Sequence, residues 1–254
     1  MFRKNLLLSK FETEMKLHEL AKHNAIVFNA HDDHVHILPY EKRPDWFRGF
    51  NRYDFSGMKI TGDLTRLICH DCNFADADFA MKTNAMNSAF YDCSFVSATW
   101  PSSTIKLTSF ARCDFSQMVA TTSRFDVCEF AGCSFIRGDF IQCRFINATF
   151  DGCSFIDVDF TFTTFAGIKN HGATPTTRVF AIDLSPFSAV IAGGYMVVGC
   201  QRHRLETWLK TGDEIAADYA ADASFVAVVR AWFEAVVREY YPMIWDAVRG
   251  STDE

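Results

Sequence analysis

The sequence predicts a mainly β fold, a solenoid of short repeats with a non-repetitive segment at each end. Three observations predict it. Phenylalanine is abundant, 26 of 254 residues, and through the middle of the chain it recurs at every fifth position. A small residue stands two places before nearly every one of these. The pattern is absent from residues 1–54 and stops after Phe165. Helical spacing and simple strand alternation do not repeat every five residues, so the period belongs to a repeat architecture.

From Phe90 to Phe165 every fifth residue is Phe except Trp100, Ile105 and Ala120. Two places earlier stand Ser88, Cys93, Ala98 and their successors through Cys113, Cys128, Cys133, Cys143 and Cys153 to Thr163. Met118 is the one large residue in that series, and it accompanies the one small centre, Ala120. A shared interior of constant volume requires such compensation. The pattern continues backward less regularly through Phe79, Phe74, Cys69, Leu64, Ile60 and Phe55. Eleven residues separate Phe79 from Phe90, which puts one extra residue within 80–89.

The runs CSF, CDF, CEF, GDF, CRF and ATF resemble the pentapeptide-repeat family. The resemblance implies a right-handed quadrilateral β-helix with one pentapeptide per side. The centre and the residue two before it then point inward, and the other three point out. About five coils at a strand spacing of ~4.8 Å make a rod about 25 Å long. The expected organisation is an N-terminal cap over residues 1–54, the β-helix over 55–166 and a small α+β C-terminal domain over 167–254.

The flanks read as follows. Phe11, Met15 and Leu20, with Leu17 nearby, predict a short amphipathic helix. AIVFN at 25–29 predicts a strand, followed by a His-rich loop. The segment from Gly167 to Thr177 reads as a linker. RVFAIDL, FSAVIA and YMVVGC read as three strands joined by turns at Ser185-Pro186 and Gly193-Gly194. Thr211 with Glu214 fits a capping box opening a helix. A longer helix is expected from about Ala223 to Tyr241, ended by Pro242, with Phe225, Val229, Trp232, Val236 and Tyr240 on one face. The run GGYMVVGCQRHRLETW, through Gly199, Cys200, His203 and Trp208, resembles a C-terminal module of bacteriophage and prophage proteins of unknown function. That resemblance implies phage origin.

Composition narrows the function. The net charge of −6 argues against general nucleic-acid binding. No apolar run reaches the ~18 residues a membrane span needs. Nine cysteines, an odd number without a secretory signal, fit a reducing cytoplasm, and the repeat places most of them as small core residues. The formal charge is +1 over residues 1–54, −4 over 55–165 and −3 over 166–254.

No cofactor is expected, and few residues offer chemistry. His31, His34 and His36 in HDDHVH are metal candidates without an evident further ligand or general base. Cys69-His70-Asp71-Cys72 resembles half a zinc site without its second pair. Cys200 with His203 fits packing and a helix start better than a nucleophile and its base. The expected function is therefore non-enzymatic. The chain would be a phage-encoded interaction module that blocks a host or phage protein, with a bacterial defence factor as one candidate, and it could form a homodimer. Outward apolar residues Val96, Ile136, Ile141, Ile146, Ile156 and Phe162, and Trp232, Phe233 and Tyr240 of the long helix, are the candidate interface. The alternative is that the chain's own C-terminal domain covers them.

The family resemblance implies a second function. Its best-known members bind topoisomerases, chiefly DNA gyrase, as acidic dimeric rods that imitate duplex DNA. Residues twenty apart should stack, which puts Asp139 under Asp159 but Arg124 under Arg144. Asp114 is followed by Ser134 and Ser154, so no long acidic stripe is expected. A metal-dependent enzyme at the N-terminal histidines is the third reading.

Overall fold

The computed structural model describes residues 8–171, 178–184, 187–218 and 222–250. Its centre is a right-handed, four-sided β-solenoid of about six turns. One side carries seven stacked parallel strands, from Gly49–Asn51 to Lys169–Asn170. Stacking thus begins at Phe50, ahead of residue 55, and there are more turns than the expected five or so. The early coils were harder to read because their period breaks twice. Ile60 and Leu64, both buried, are four residues apart, whereas Phe79 and Ala85, also buried, are six apart. The second break is the extra residue expected within 80–89. The two errors cancel: Ile60 pairs with Phe79, nineteen residues on, but Asp63 bridges Asn84, twenty-one on.

Each side is a short extended piece and each corner is a left-handed residue two places after the centre. Around one coil these are Asp92, Ser97, Ser102 and Leu107, with φ of 54°, 56°, 52° and 51°. Coil-to-coil hydrogen bonds satisfy the backbone, for example Phe95 N–H to Asp114 O at 2.7 Å and Arg112 N–H to Ala131 O at 2.8 Å. Asp and Asn just before a centre fasten the next corner. Asp114 Oδ1 accepts from Ser116 N–H and Asp159 Oδ1 from Thr161 N–H.

The interior is filled as the repeat predicts. Phe90, Phe110, Phe130 and Phe150 stack with ring centroids 5.1–5.2 Å apart, close to the coil spacing. A second column runs from Phe55 through Phe74, Phe95, Phe115 and Phe135 to Phe155. Ala120 and Met118 are both fully buried, so the exchange of volume between them is real. The small inward residues also need a partner for their polar hydrogen, and they find one. Ser123 Oγ donates to Trp100 O at 2.8 Å, and the thiols of Cys113, Cys133 and Cys153 donate to the carbonyls of Phe90, Phe110 and Phe130.

At the N-terminal end, helix α1 (Lys10–Lys22) is opened by a capping box between Ser9 and Glu12. It buries Thr13 and Leu17, with Leu20 and Ala21 packed alongside. Phe11 and Met15 face solvent, contrary to the expected stripe. The reason is Thr13, whose Oγ1 accepts from Asp54 N–H and turns that face toward the first coil. Strand Ile26–Asn29 forms as expected. The following segment is not all loop: His34–Ile37 is a strand, antiparallel to Ile26–Asn29 and parallel to Lys59–Gly62 of the solenoid.

At the other end lies an antiparallel sheet of four strands, Val179–Leu184, Phe187–Ala192, Tyr195–Val198 and Gln201–Arg204. The fourth, polar strand was not legible. Ser185-Pro186 and residues 172–177 lie outside the described residues. Helix α2 (Leu205–Asp218) starts before Thr211, since Leu205 and Leu209 already form its buried face. Thr211 marks a kink, and its hydroxyl donates back to Thr207 O instead of capping. Helix α3 (Ala223–Tyr240), capped by Asp222, is followed by α4 (Pro242–Arg249), where Pro242 both ends one helix and starts the next.

Candidate functional site

The solenoid interior is lined by buried cysteines at its small inward positions. Burial pushes the Cys128 and Cys143 thiols up to about 12, so they are not thiolates near neutral pH. Cys69 and Cys72 are both buried, while His70 between them is outside, stacked on Tyr91. The two faces of the wall therefore separate the supposed half-site.

His34 and His36 lie on the same side of their strand, and both turn a ring nitrogen to one hydroxyl. His34 Nε2 is 2.8 Å and His36 Nδ1 2.9 Å from Thr61 Oγ1. His31 is exposed in the preceding turn, with its N–H on Asn29 Oδ1. Burial, then Lys59 and His36, hold His34 below the ordinary imidazole value. Among the described residues no group of three or more His, Cys, Asp or Glu is placed to hold a metal. In the C-terminal domain Cys200 is exposed, and His203 Nε2 contacts Gln201 Oε1 with its ring edge-on to Trp208.

What remains is surface. Ile136 and Ile156 occupy adjacent coils of one side, with Ser116 between them and Val96. Ile141 is on the next side, and Ile146 on the one after, between Asp126 and Ala166. Ile136, Ile141 and Ile146 are half-buried and girdle one coil, whereas Ile156 and Phe162 are 44% and 49% exposed. The C-terminal domain meets the end of the rod: Gly193 lies against Phe155 O, Arg202 Nε donates to Val158 O, and Phe162 N–H donates to Gly199 O. Phe233 is not available as an anchor. It is buried in the C-terminal core, with Trp232 and Tyr240 partly buried against the same cluster.

Sequence reading missed a second set of exposed apolar residues. Leu107 and Val127 are 45% and 43% exposed and occupy the same corner of adjacent coils, above Asn87, while the exposed Met86 pairs with Lys106. Both stand at left-handed corners, φ 51° and 52°, where most neighbours are Asp, Asn, Ser, Gly, Gln or Arg. A β-branched residue is an outlier there. Reading down the series two places after each centre could have found them. Cations border the pair. Lys106 precedes Leu107, and Arg124 stacks on Arg144. Arg124 binds Asp126, leaving Lys106 and Arg144 without an ion pair among the described residues.

Residues 128–167 match the family model of pentapeptide repeats, in eight copies. That match covers the most regular coils. Solved pentapeptide-repeat structures resemble the chain at low identity. Rfr23 from the cyanobacterium Cyanothece 51142 is 14% identical, over 46% of this chain and 86% of its own, with a TM-score of 0.35. QnrB1, a plasmid-mediated fluoroquinolone resistance protein, is 18% identical, over 57% of this chain and 75% of its own, with a TM-score of 0.30. HetL, involved in heterocyst differentiation regulation in Nostoc sp. strain PCC 7120, is 13% identical, over 46% and 70%, with a TM-score of 0.18. Comparison with curated proteins finds no match. Among the described residues no helix is long and apolar enough to cross a membrane.

Proposed function

We propose that this pentapeptide-repeat protein is a non-enzymatic protein–protein interaction module, phage-encoded, that binds and blocks a host protein such as a bacterial defence factor. The observation that carries the reading is the pair Leu107 and Val127. Each holds an apolar side chain in solvent at a corner where the backbone disfavours it. Neither residue serves the interior, and a polar residue would be better there on both counts. A contact with another molecule explains both. Lys106, next to Leu107 and without an ion pair among the described residues, suits a partner surface that is apolar with an acidic group at its border.

The register weighs against an acidic imitation of DNA. Asp139 bridges Asp159, and burial, with Asp159 adding to it, holds the Asp139 carboxyl above its ordinary value. But Asp114 is succeeded by Ser134 and Ser154, and Arg124 by Arg144, so the negative charge is not continuous.

The test is affinity capture from a bacterial host lysate with wild-type chain and with Leu107→Asn plus Val127→Asn, identified by mass spectrometry. Asn suits both corners, so the variant keeps its fold. The expected result is a partner recovered by wild type and lost by the variant. A partner captured equally by both removes the corner patch from the function, and recovery of untagged copies of this chain alone makes the contact a homodimer.

A further inference from the structure

Among the strands and helices of the C-terminal domain, with Phe162 of the last coil contributing to its wall, lies a cavity of about 460 Å³. It is within the size range of small-molecule sites. Phe162, Met196, Trp208, Phe225, Val229 and Phe233 form much of its wall. Phe162 comes from the solenoid, at another left-handed corner with φ 55°, and is 49% exposed. Trp208 is held in place by Nε1 donating to Met196 O at 2.9 Å. The charged residues around the cavity are nearly all spoken for. Arg230 pairs with Asp213, Arg249 with Glu234 at 3.0 Å, and Asp222 caps α3. Lys210 also lines the cavity, and among the described residues its ammonium has neither a hydrogen bond nor an ion pair.

We propose that this cavity binds an amphiphile with an apolar body and a single acidic group, such as a fatty carboxylate, with the acid on Lys210. The aromatic wall takes the body out of water, and the unpaired ammonium selects the head. The site does not depend on the partner-binding surface, since Leu107 and Val127 are not part of its lining.

Two wall variants and one at Lys210 test it without threatening the fold. Phe162→Asn removes an aromatic wall and places at that corner a residue that favours its conformation. Gly212→Leu fills space: Gly212 lines the cavity in α2 with no left-handed φ, and a Cβ there would meet Trp208 at an ordinary 3.5 Å. Dodecanoate and dodecanol are titrated by calorimetry into the full chain, with thermal unfolding confirming that each variant is folded. Wild type is expected to bind one dodecanoate per chain. Phe162→Asn and Gly212→Leu should each weaken it by about tenfold or more, the cost of losing the burial of one to two methylene equivalents. Lys210→Glu should weaken dodecanoate by about fivefold and leave dodecanol unchanged. The proposal is overturned by the absence of saturable dodecanoate binding to wild type, or by unchanged affinity in either folded wall variant. Equal dodecanoate affinity in Lys210→Glu overturns the acidic head.

Discussion

Val127 is a residue whose side chain and backbone conformation disagree. Its φ of 52° brings a branched Cβ toward the carbonyl oxygen that follows, a conformation costing about 1–2 kcal/mol for an L-residue. Asn147, one coil further on at the corresponding corner, has the same φ and the local polar side chain that eases it. Val127→Asn should therefore stabilise the protein by about 0.5–1 kcal/mol, read as a rise in denaturation midpoint without a change in slope. The same substitution should weaken partner binding. A stabler variant that binds less well is the signature expected of a residue kept for contact. Unchanged or lower stability would mean that Val127 makes a contact within the fold that offsets its strain.

At the scale of elements, one of the joints between the N-terminal segment and the solenoid is the strand His34–Ile37, laid along Lys59–Gly62. That junction contains a proton-sensitive group. Burial and the neighbouring Lys59 disfavour charged His34, so its folded pKa lies below its unfolded value of about 6.5. In the unfolded chain the imidazole takes up a proton first. Stability is therefore full above about pH 6.5 and falls as the pH drops through that value toward the folded pKa. The expected outcome is loosening of this junction on acidification, seen as faster amide exchange in Ile26–Asn29 and His34–Ile37 at about pH 5.5 than at about pH 7.5, after correction for intrinsic rates. Lys59→Gln should reduce the difference. An equal difference in that variant would assign the effect to another group. This pairing was invisible in the sequence because HDDHVH is too polar to read as a strand, and only the adjacent coil edge makes it one. The same holds for Gln201–Arg204, a polar strand at a sheet edge, and for the start of α2, where burial of Leu205 and Leu209 overrides the local cap signal at Thr211. The solenoid was legible because its centres repeat one interior environment. The exposed apolar corners Leu107 and Val127 were not, because the repeat constrains only its inward positions.

For the whole molecule the ends decide. Each coil touches only its neighbours, so the last one exposes stacked rings and an unpaired strand edge unless something closes it. The C-terminal domain does this, with Val179, Val190 and Ala192 buried in one cluster with Phe160 and Phe165. The closest approach is at the hairpin turn, where a Cβ on Gly193 would stand 1.8 Å from Phe155 O. Gly194 beside it, also left-handed at φ 85°, has nothing within 4 Å of its Cβ. The two glycines therefore separate backbone strain from docking. Gly194→Ala should cost about 1 kcal/mol and leave the closure intact. Gly193→Ala carries the same strain and also pushes the turn off the coil, because a backbone carbonyl cannot rotate aside as a side chain can. It should reduce amide protection in Tyr195–Val198 and Thr164–Ala166 while Phe110 and Phe130 stay protected, and the opened coil should self-associate in sedimentation. If both variants behave alike, the turn does not bear on the rod, and closure rests on the remaining contacts: the Asn170 side chain, which hydrogen-bonds Val179 through both its amide nitrogen and its oxygen, Arg202 on Val158 O, and Phe162 N–H on Gly199 O.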